Sequence, residues 1–138
     1  MSRVLSVRIP ESQMAQLQRL ARRMGRTPSE TGAMFIDEAL RRASFAMIDF
    51  RDSAAGRQAC IQGSTLAVWE VVSIARCYDM DVAQTAEHLG WPEVRVKAAL
   101  NYAEAYPQEI DDAISDNDSW DFAAISRLLP NAIEFKSG

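Results

Sequence analysis

The residues that could carry catalytic or metal chemistry are few and far apart in this chain. It has two cysteines, Cys60 and Cys77, and a single histidine, His88. A zinc site needs about four ligands at close spacings, and these residues do not supply them. No glycine-rich phosphate loop is present, and the acidic residues lie in polar runs rather than in apolar pockets that raise a carboxyl pKa. We therefore expect buried, reduced thiols, no metal, no cofactor and no enzymatic activity.

Charge is distributed unevenly along the chain. Residues 1–45 hold eight arginines against four acidic residues, so they carry +4, while residues 46–138 carry −8 within a net charge of −4. A basic first third joined to an acidic remainder is typical of a protein that meets nucleic acid at one end and another partner at the other. A solvated surface permits the same asymmetry, so charge alone does not decide between these readings.

The first element predicted from the pattern is a short strand. Residues 4–9 alternate, with Leu5, Val7 and Ile9 on one face, as a strand requires. Pro10 ends it, because proline cannot donate to a strand ladder. Any functional side chain on the other face of this strand is positioned by the strand.

Two helices are predicted to follow the strand. The first covers about residues 11–24, with its apolar residues on one face, and stops at Gly25. Thr27 and Glu30 have the spacing of a capping box, which opens a second helix that continues to about Ala43. This second helix is apolar on more than one side.

One strand and two helices cannot bury that much apolar surface alone, and a single strand leaves both of its edges unpaired. A twofold partner solves both problems, because two strands then pair into an antiparallel ribbon above interlocked helices. The sequence therefore predicts a homodimer.

The outward face of such a ribbon carries Ser6 and Arg8 from each protomer. A two-stranded ribbon fits the major groove of DNA, where arginine bonds bidentately to guanine. The amide groups at the start of the second helix, near Thr27 and Ser29, are placed to hold a phosphate.

Residues 3–44 resemble the ribbon-helix-helix family of Arc-, MetJ- and CopG-like repressors. The resemblance rests on residues 6–11 (Ser-Val-Arg-Ile-Pro-Glu) and 25–30 (Gly-Arg-Thr-Pro-Ser-Glu). It implies that Ser6 and Arg8 read bases with help from Val4 or Arg3; a dimerisation module that binds no DNA is the alternative. The candidate DNA-contacting residues are Arg3, Val4, Ser6, Arg8, Thr27 and Ser29.

The middle of the chain predicts a hairpin followed by three helices. Turn-forming residues 52–56 separate two short strand-like runs. Helices follow at about residues 67–77 and 81–89, and a third opens after the Gly-Trp-Pro break at residues 90–92.

The last two of these helices have the spacing of a helix-turn-helix. If they read DNA, Arg95, Lys97 and Asn101 are the candidate contacts. The flanking Glu93 and Glu104 and the acidity of this region favour a packing role instead.

Residues 50–106 resemble a small helical family found in VapB-like antitoxins, which are typically encoded beside PIN-like ribonuclease toxins. The matching stretches are 56–57 (Gly-Arg), 63–69 (Gly-Ser-Thr-Leu-Ala-Val-Trp), 86–90 (Ala-Glu-His-Leu-Gly) and 96–103 (Val-Lys-Ala-Ala-Leu-Asn-Tyr-Ala). The family usually has arginine after its Gly-Thr pair, and Leu66 stands there in this chain, so any function of that arginine is in doubt here.

The last part of the chain begins with seven acidic residues and no basic ones between Glu104 and Asp121. Apolar residues at helical spacing follow, which indicates either a helix folded back on its own domain or a segment that orders in the groove of a partner. In VapB-like antitoxins the C-terminal region blocks the toxin, so the resemblance makes Arg127, or less favourably Lys136, the residue that reaches the toxin's catalytic pocket. The candidate partner-binding residues are Trp120, Phe122, Ile125, Arg127, Leu128, Leu129 and Phe135.

Together these features predict a mostly α protein with short β: a ribbon-helix-helix dimer over residues 1–45, a hairpin and three-helix domain over 46–114, and a partner-binding helical tail over 115–138. We expect an antitoxin. We expect it to be cytoplasmic, because no targeting segment or run of 18 apolar residues is seen. It would bind operator DNA, repress its own operon and neutralise a toxin, with PIN-like ribonucleases as the expected class. The alternatives are a stand-alone repressor whose helical domain senses a ligand and, less favoured, an enzyme of unknown chemistry.

Overall fold

The computed structural model describes residues 2–118, and this part of the chain is mostly helical with one short antiparallel hairpin. The prediction of a mostly α protein with short β is confirmed. In chain order the elements are α1 (Glu11–Met24), α2 (Pro28–Ser44), β1 (Ile48–Ser53), β2 (Gly56–Ile61), α3 (Val68–Arg76), α4 (Val82–Leu89), α5 (Glu93–Ala105) and α6 (Pro107–Asp118).

The chain divides into two compact units between Ser44 and Phe45. The first holds α1 and α2, and the second holds the hairpin and α3 to α6. The predicted boundary between residues 114 and 115 falls inside α6. Among the described residues, no helix combines the length and apolar character needed to cross a bilayer.

In the first unit, α1 and α2 are joined by a tight turn. Gly25 takes a left-handed conformation with φ 66°, and the next amide, that of Arg26, donates to the Ala21 carbonyl at 2.9 Å. Glycine adopts this conformation without the Cβ penalty that other residues meet, so α1 ends where the sequence predicts. The Thr27 hydroxyl oxygen accepts from the Glu30 amide at 3.1 Å and caps α2.

The predicted strand at residues 4–9 is not formed within a single chain. Residues 2–10 have neither helical nor strand structure, and all are exposed. A strand is defined by its hydrogen bonds to a neighbour. No backbone hydrogen bond joins residues 2–9 to any other described residue.

The second unit begins with a regular hairpin. Strands β1 and β2 pair antiparallel from Ile48 opposite Ile61 to Ser53 opposite Gly56. One face of the hairpin is buried, and with α3, α5 and α6 it encloses an apolar core. The buried members of this core are Ile48, Phe50, Ala59, Ile61, Val68, Val71, Val72, Ala99, Tyr102 and Ile110.

The helices of the second unit correct the prediction in one respect. We expected three helices, and the described residues form four, because the acidic segment after Tyr106 folds as α6. Ile110 and Ile114 lie one turn apart and pack on the core, while the acidic residues between and after them are exposed. These two apolar residues pack the acidic helix on the core, and an ion pair between Arg76 of α3 and Asp111 also joins it to the unit.

The two thiols also differ from expectation. Cys60 is buried, and this burial raises the pKa of its thiol. Cys77, which we expected to be buried, is exposed because it follows the last turn of α3.

Candidate nucleic-acid interface

The N-terminal segment, residues 2–9, is exposed, rich in apolar side chains and without backbone hydrogen bonds to the rest of the described chain. Val4 is 94% exposed, Leu5 72% and Val7 67%, although exposed side chains of this size are unfavourable in water. The predicted base-reading residues Ser6 and Arg8 lie in the same segment and are also exposed. The segment therefore presents unpaired backbone groups, exposed apolar side chains and the exposed guanidinium group of Arg8.

Helix α2 exposes an apolar stripe of its own. Ala33, Ile36, Leu40 and Ala43 recur at spacings of three and four residues, and all four are exposed. Ile36 is 48% exposed and Leu40 64%. We call this set the α2 apolar stripe. It explains why the sequence of α2 is apolar on more than one side.

The start of α2 leaves few hydrogen-bond donors for a phosphate. Pro28 has no amide hydrogen, and the Glu30 amide already donates to Thr27. The Ser29 amide has no hydrogen-bond partner among the described residues, and the Thr27 hydroxyl keeps its own hydrogen to donate. The donors available to an anion here are therefore the Ser29 amide and the Ser29 and Thr27 hydroxyls.

The eight arginines of the first 45 residues fall into two groups. Arg41 pairs with Asp37 at 3.1 Å, and Arg42 pairs with Glu38 at 3.9 Å, each with an acid one turn earlier on α2. The other six are exposed and form no ion pair with any residue of the described 2–118 range. They are Arg3, Arg8, Arg19, Arg22, Arg23 and Arg26.

The predicted DNA contacts included Arg3 and Arg8 but not the four exposed arginines at and just after the end of α1. Arg19, Arg22 and Arg23 have helical spacing, and none of them has an acidic residue three or four positions away. The α2 arginines each follow an acidic residue by four positions, so the sequence already indicates this difference.

The helix-turn-helix candidate in the second unit is well formed. Asp81 caps α4 by accepting from the Gln84 amide at 2.8 Å, and Gly90 ends α4 with φ 66°. The Arg95 guanidinium lies over the Trp91 ring, 5.6 Å from its centroid, and is half-buried. Of the three candidate contacts, Lys97 and Asn101 are exposed. The stacking of Arg95 favours a packing role for this motif.

Other polar groups of the second unit are arranged as pairs rather than as a cluster. The Tyr78 hydroxyl and His88 Nδ1 lie 2.8 Å apart at the surface. Arg51 donates to the carbonyl oxygens of Ile61 and Ser64 and so holds the turn after β2. Within residues 2–118, no three or more His, Cys, Asp or Glu side chains are grouped as metal ligands.

The predicted partner-binding residues lie outside the described part of the chain. They are Trp120, Phe122, Ile125, Arg127, Leu128, Leu129 and Phe135. No family model, no curated protein and no solved structure matches this chain.

Proposed function

We propose that this chain is a dimeric antitoxin that binds operator DNA through a ribbon-helix-helix unit and neutralises a toxin with the rest of its length. The observation that carries the proposal is the N-terminal segment, which combines exposed apolar side chains, unpaired backbone and the exposed Arg8. The cognate toxin would be a nuclease of the PIN-like class, and the complex would repress its own operon.

A second copy of the chain would pair the backbone of this segment and bury its apolar side chains. Two antiparallel copies supply the missing hydrogen bonds to each other, as an edge strand needs. Burying Val7 or Leu5 fully is worth about 1.5–3 kcal/mol for each side chain. The α2 apolar stripe supports the same arrangement, because interlocked helices would cover it as well.

Pairing of two segments would also create the DNA-reading surface. Alternation along residues 4–9 puts Ser6 and Arg8 on the face opposite Leu5 and Val7. Each Arg8 can then bond bidentately to a guanine in the major groove. The Ser29 amide and the nearby hydroxyls would hold phosphates and orient the dimer on the duplex.

Toxin neutralisation is supported by the charge of the second unit. Helix α6 exposes Asp111, Asp112, Asp116 and Asp118. An acidic surface is complementary to the basic path along which a ribonuclease binds RNA. The tail that follows contains Arg127, which in this proposal reaches the acidic catalytic pocket of the toxin.

The test compares three proteins on the DNA upstream of the chain's own gene and on an unrelated duplex. Arg8→Ala should remain a dimer and lose about 1–3 kcal/mol of discrimination between the two DNAs. Leu40→Asp should be monomeric in sedimentation and lose DNA binding, because a charge would be buried in the shared core. Leu40 is exposed in the single chain, so the protomer should stay folded by circular dichroism.

The matched controls are Arg76→Ala, a helical arginine of the second unit, and Met80→Asp, an exposed apolar residue of that unit. Both should dimerise and discriminate like the wild type. A dimeric Leu40→Asp protein, or unchanged discrimination in Arg8→Ala, would show that the ribbon-helix-helix assignment is wrong.

A further inference from the structure

Four exposed arginines gather at the end of α1. Arg19, Arg22 and Arg23 lie on one side of the helix, and Arg26 follows directly after the Gly25 cap. We call these four residues the α1 arginine cluster. The opposite side of α1 carries its apolar residues, Leu17, Leu20, Ala21 and Met24, which are buried or half-buried. The cluster therefore faces away from the apolar side of α1.

The fold itself gains little from this arrangement. Like charges three and four residues apart destabilise a helix. The helix dipole favours Arg22 and Arg23, which lie in the last turn, but Arg19 lies before that turn and Arg26 beyond the helix. The dipole therefore accounts for only half of the cluster.

The arginines at the end of α2 differ from the α1 arginine cluster because they have acidic partners. Arg41 and Arg42 at the end of α2 each have an acidic partner one turn earlier. The α1 arginine cluster has no acidic partner among residues 2–118, although residues 46–138 carry −8. Within the first unit, Asp37 and Glu38 pair with the α2 arginines and no acidic residue pairs with the cluster, so the positive charge of the cluster is available to an external anion.

We propose that the α1 arginine cluster is a second DNA contact, which grips the phosphate backbone beside the bases read by Arg8 and carries no sequence information. This inference rests on the proposed DNA binding. The cluster is continuous along the chain with the donors at the start of α2, since Arg26 precedes Thr27 and only two residues separate it from Ser29. Guanidinium groups bind phosphate oxygens bidentately, and a dimer would present eight of them.

The experiment measures how DNA affinity depends on salt concentration. Each phosphate contact contributes a slope of about −0.9 to the plot of log affinity against log salt. Arg23→Gln removes one contact from each protomer, so it should flatten the slope by about 2 on both the upstream DNA and the unrelated duplex. Arg19→Gln combined with Arg23→Gln should flatten it by about twice as much. Glutamine and arginine have similar helix propensities, so α1 should persist.

Arg76→Gln is the matched control, because Arg76 is also an exposed arginine in the last turn of a helix. It loses the same charge and the same dipole interaction, together with an exposed ion pair to Asp111 of α6 at 2.6 Å that the cluster arginines lack, and the slope should stay at the wild-type value. Unchanged slopes in the Arg23→Gln and double variants would overturn the inference. A variant whose slope is unchanged but whose dimers no longer associate with each other would also overturn the inference. The cluster would then bind an acidic protein surface and not DNA.

The same titrations separate this inference from the proposed function. Discrimination between the two DNAs tests operator recognition, whereas the slope on the unrelated duplex tests the cluster. A wild-type protein that shows no discrimination, but whose slope flattens in Arg23→Gln, would refute operator recognition and retain the cluster. Absence of binding to either DNA at low salt would refute both.

Discussion

At the scale of single residues, Tyr102 contacts several parts of the second unit. Its side chain is fully buried, and its hydroxyl donates to Glu109 Oε2 at 2.6 Å. Its ring meets the edge of Phe45 at a centroid distance of 5.5 Å and lies against Tyr106 at 4.8 Å. The residue therefore joins α5 to α6 through its hydroxyl, while its ring contacts Phe45, which precedes β1, and Tyr106, which follows α5.

Removing only the hydroxyl should reveal how much the polar contact contributes. Tyr102→Phe should lower the free energy of unfolding by about 1–2 kcal/mol, because a hydrogen bond to a charged group is lost. Chemical denaturation measures the change. Tyr78→Phe is the matched control, since its hydroxyl bonds His88 at the surface, and should change stability by less than about 0.5 kcal/mol. Equal effects of the two substitutions would show that the Tyr102 hydroxyl adds nothing beyond a surface contact.

At the scale of elements, α4 is a short helix whose two ends are defined by local chemistry. Asp81 caps its start through the Gln84 amide, and the left-handed Gly90 closes its end. An eight-residue helix has too few internal hydrogen bonds to form alone. Its caps and its packing against α5 must therefore supply its stability.

Asp81→Ala should destabilise the second unit by about 1 kcal/mol, because an amide at the start of α4 loses its acceptor. Asp81→Asn keeps a side-chain acceptor at the same place and should retain most of the wild-type stability. Thermal unfolding of both variants gives the comparison. If alanine and asparagine cost the same, the aspartate acts through its charge or not at all, and the capping role is wrong.

At the scale of the whole molecule, the proposed function assigns different partners to different parts of the chain. The first unit carries the exposed arginines and apolar residues that the proposed DNA-binding dimer needs. The second carries the acidic α6, and the proposed toxin-binding tail follows it. Because Ile114 of α6 packs on the core, a truncation that keeps the whole of α6 must retain the residues up to 118.

A chain that ends at Asp118 should dimerise and bind the upstream DNA like the full chain, but should no longer co-purify with the product of the neighbouring gene or rescue growth against it. Co-expression pull-down and a growth assay measure the loss, with DNA binding as the control. Loss of DNA binding with the tail would mean that the tail supports the chain's own fold. Unchanged neutralisation would place the toxin-binding surface within residues 2–118.

The sequence by itself determined where several of the helices begin and end. Gly25 and Gly90 stop helices, and Thr27 and Asp81 start them, as their positions predict. These features depend on contacts within about four residues, so the local sequence contains all the information needed. The hairpin around residues 52–56 was predictable for the same reason.

Only the tertiary structure decided which side chains are left without partners. The run of acidic residues did not indicate α6, whose Ile110 and Ile114 pack on the core. Cys77 is exposed, although cysteine is usually buried. The spacing of four residues indicates the ion pairs on α2, but nothing in the sequence indicates the ion pair between Arg76 of α3 and Asp111 of α6, which are 35 positions apart. Burial and ion pairing depend on which surfaces meet in three dimensions, and the order of residue types along the chain does not specify this.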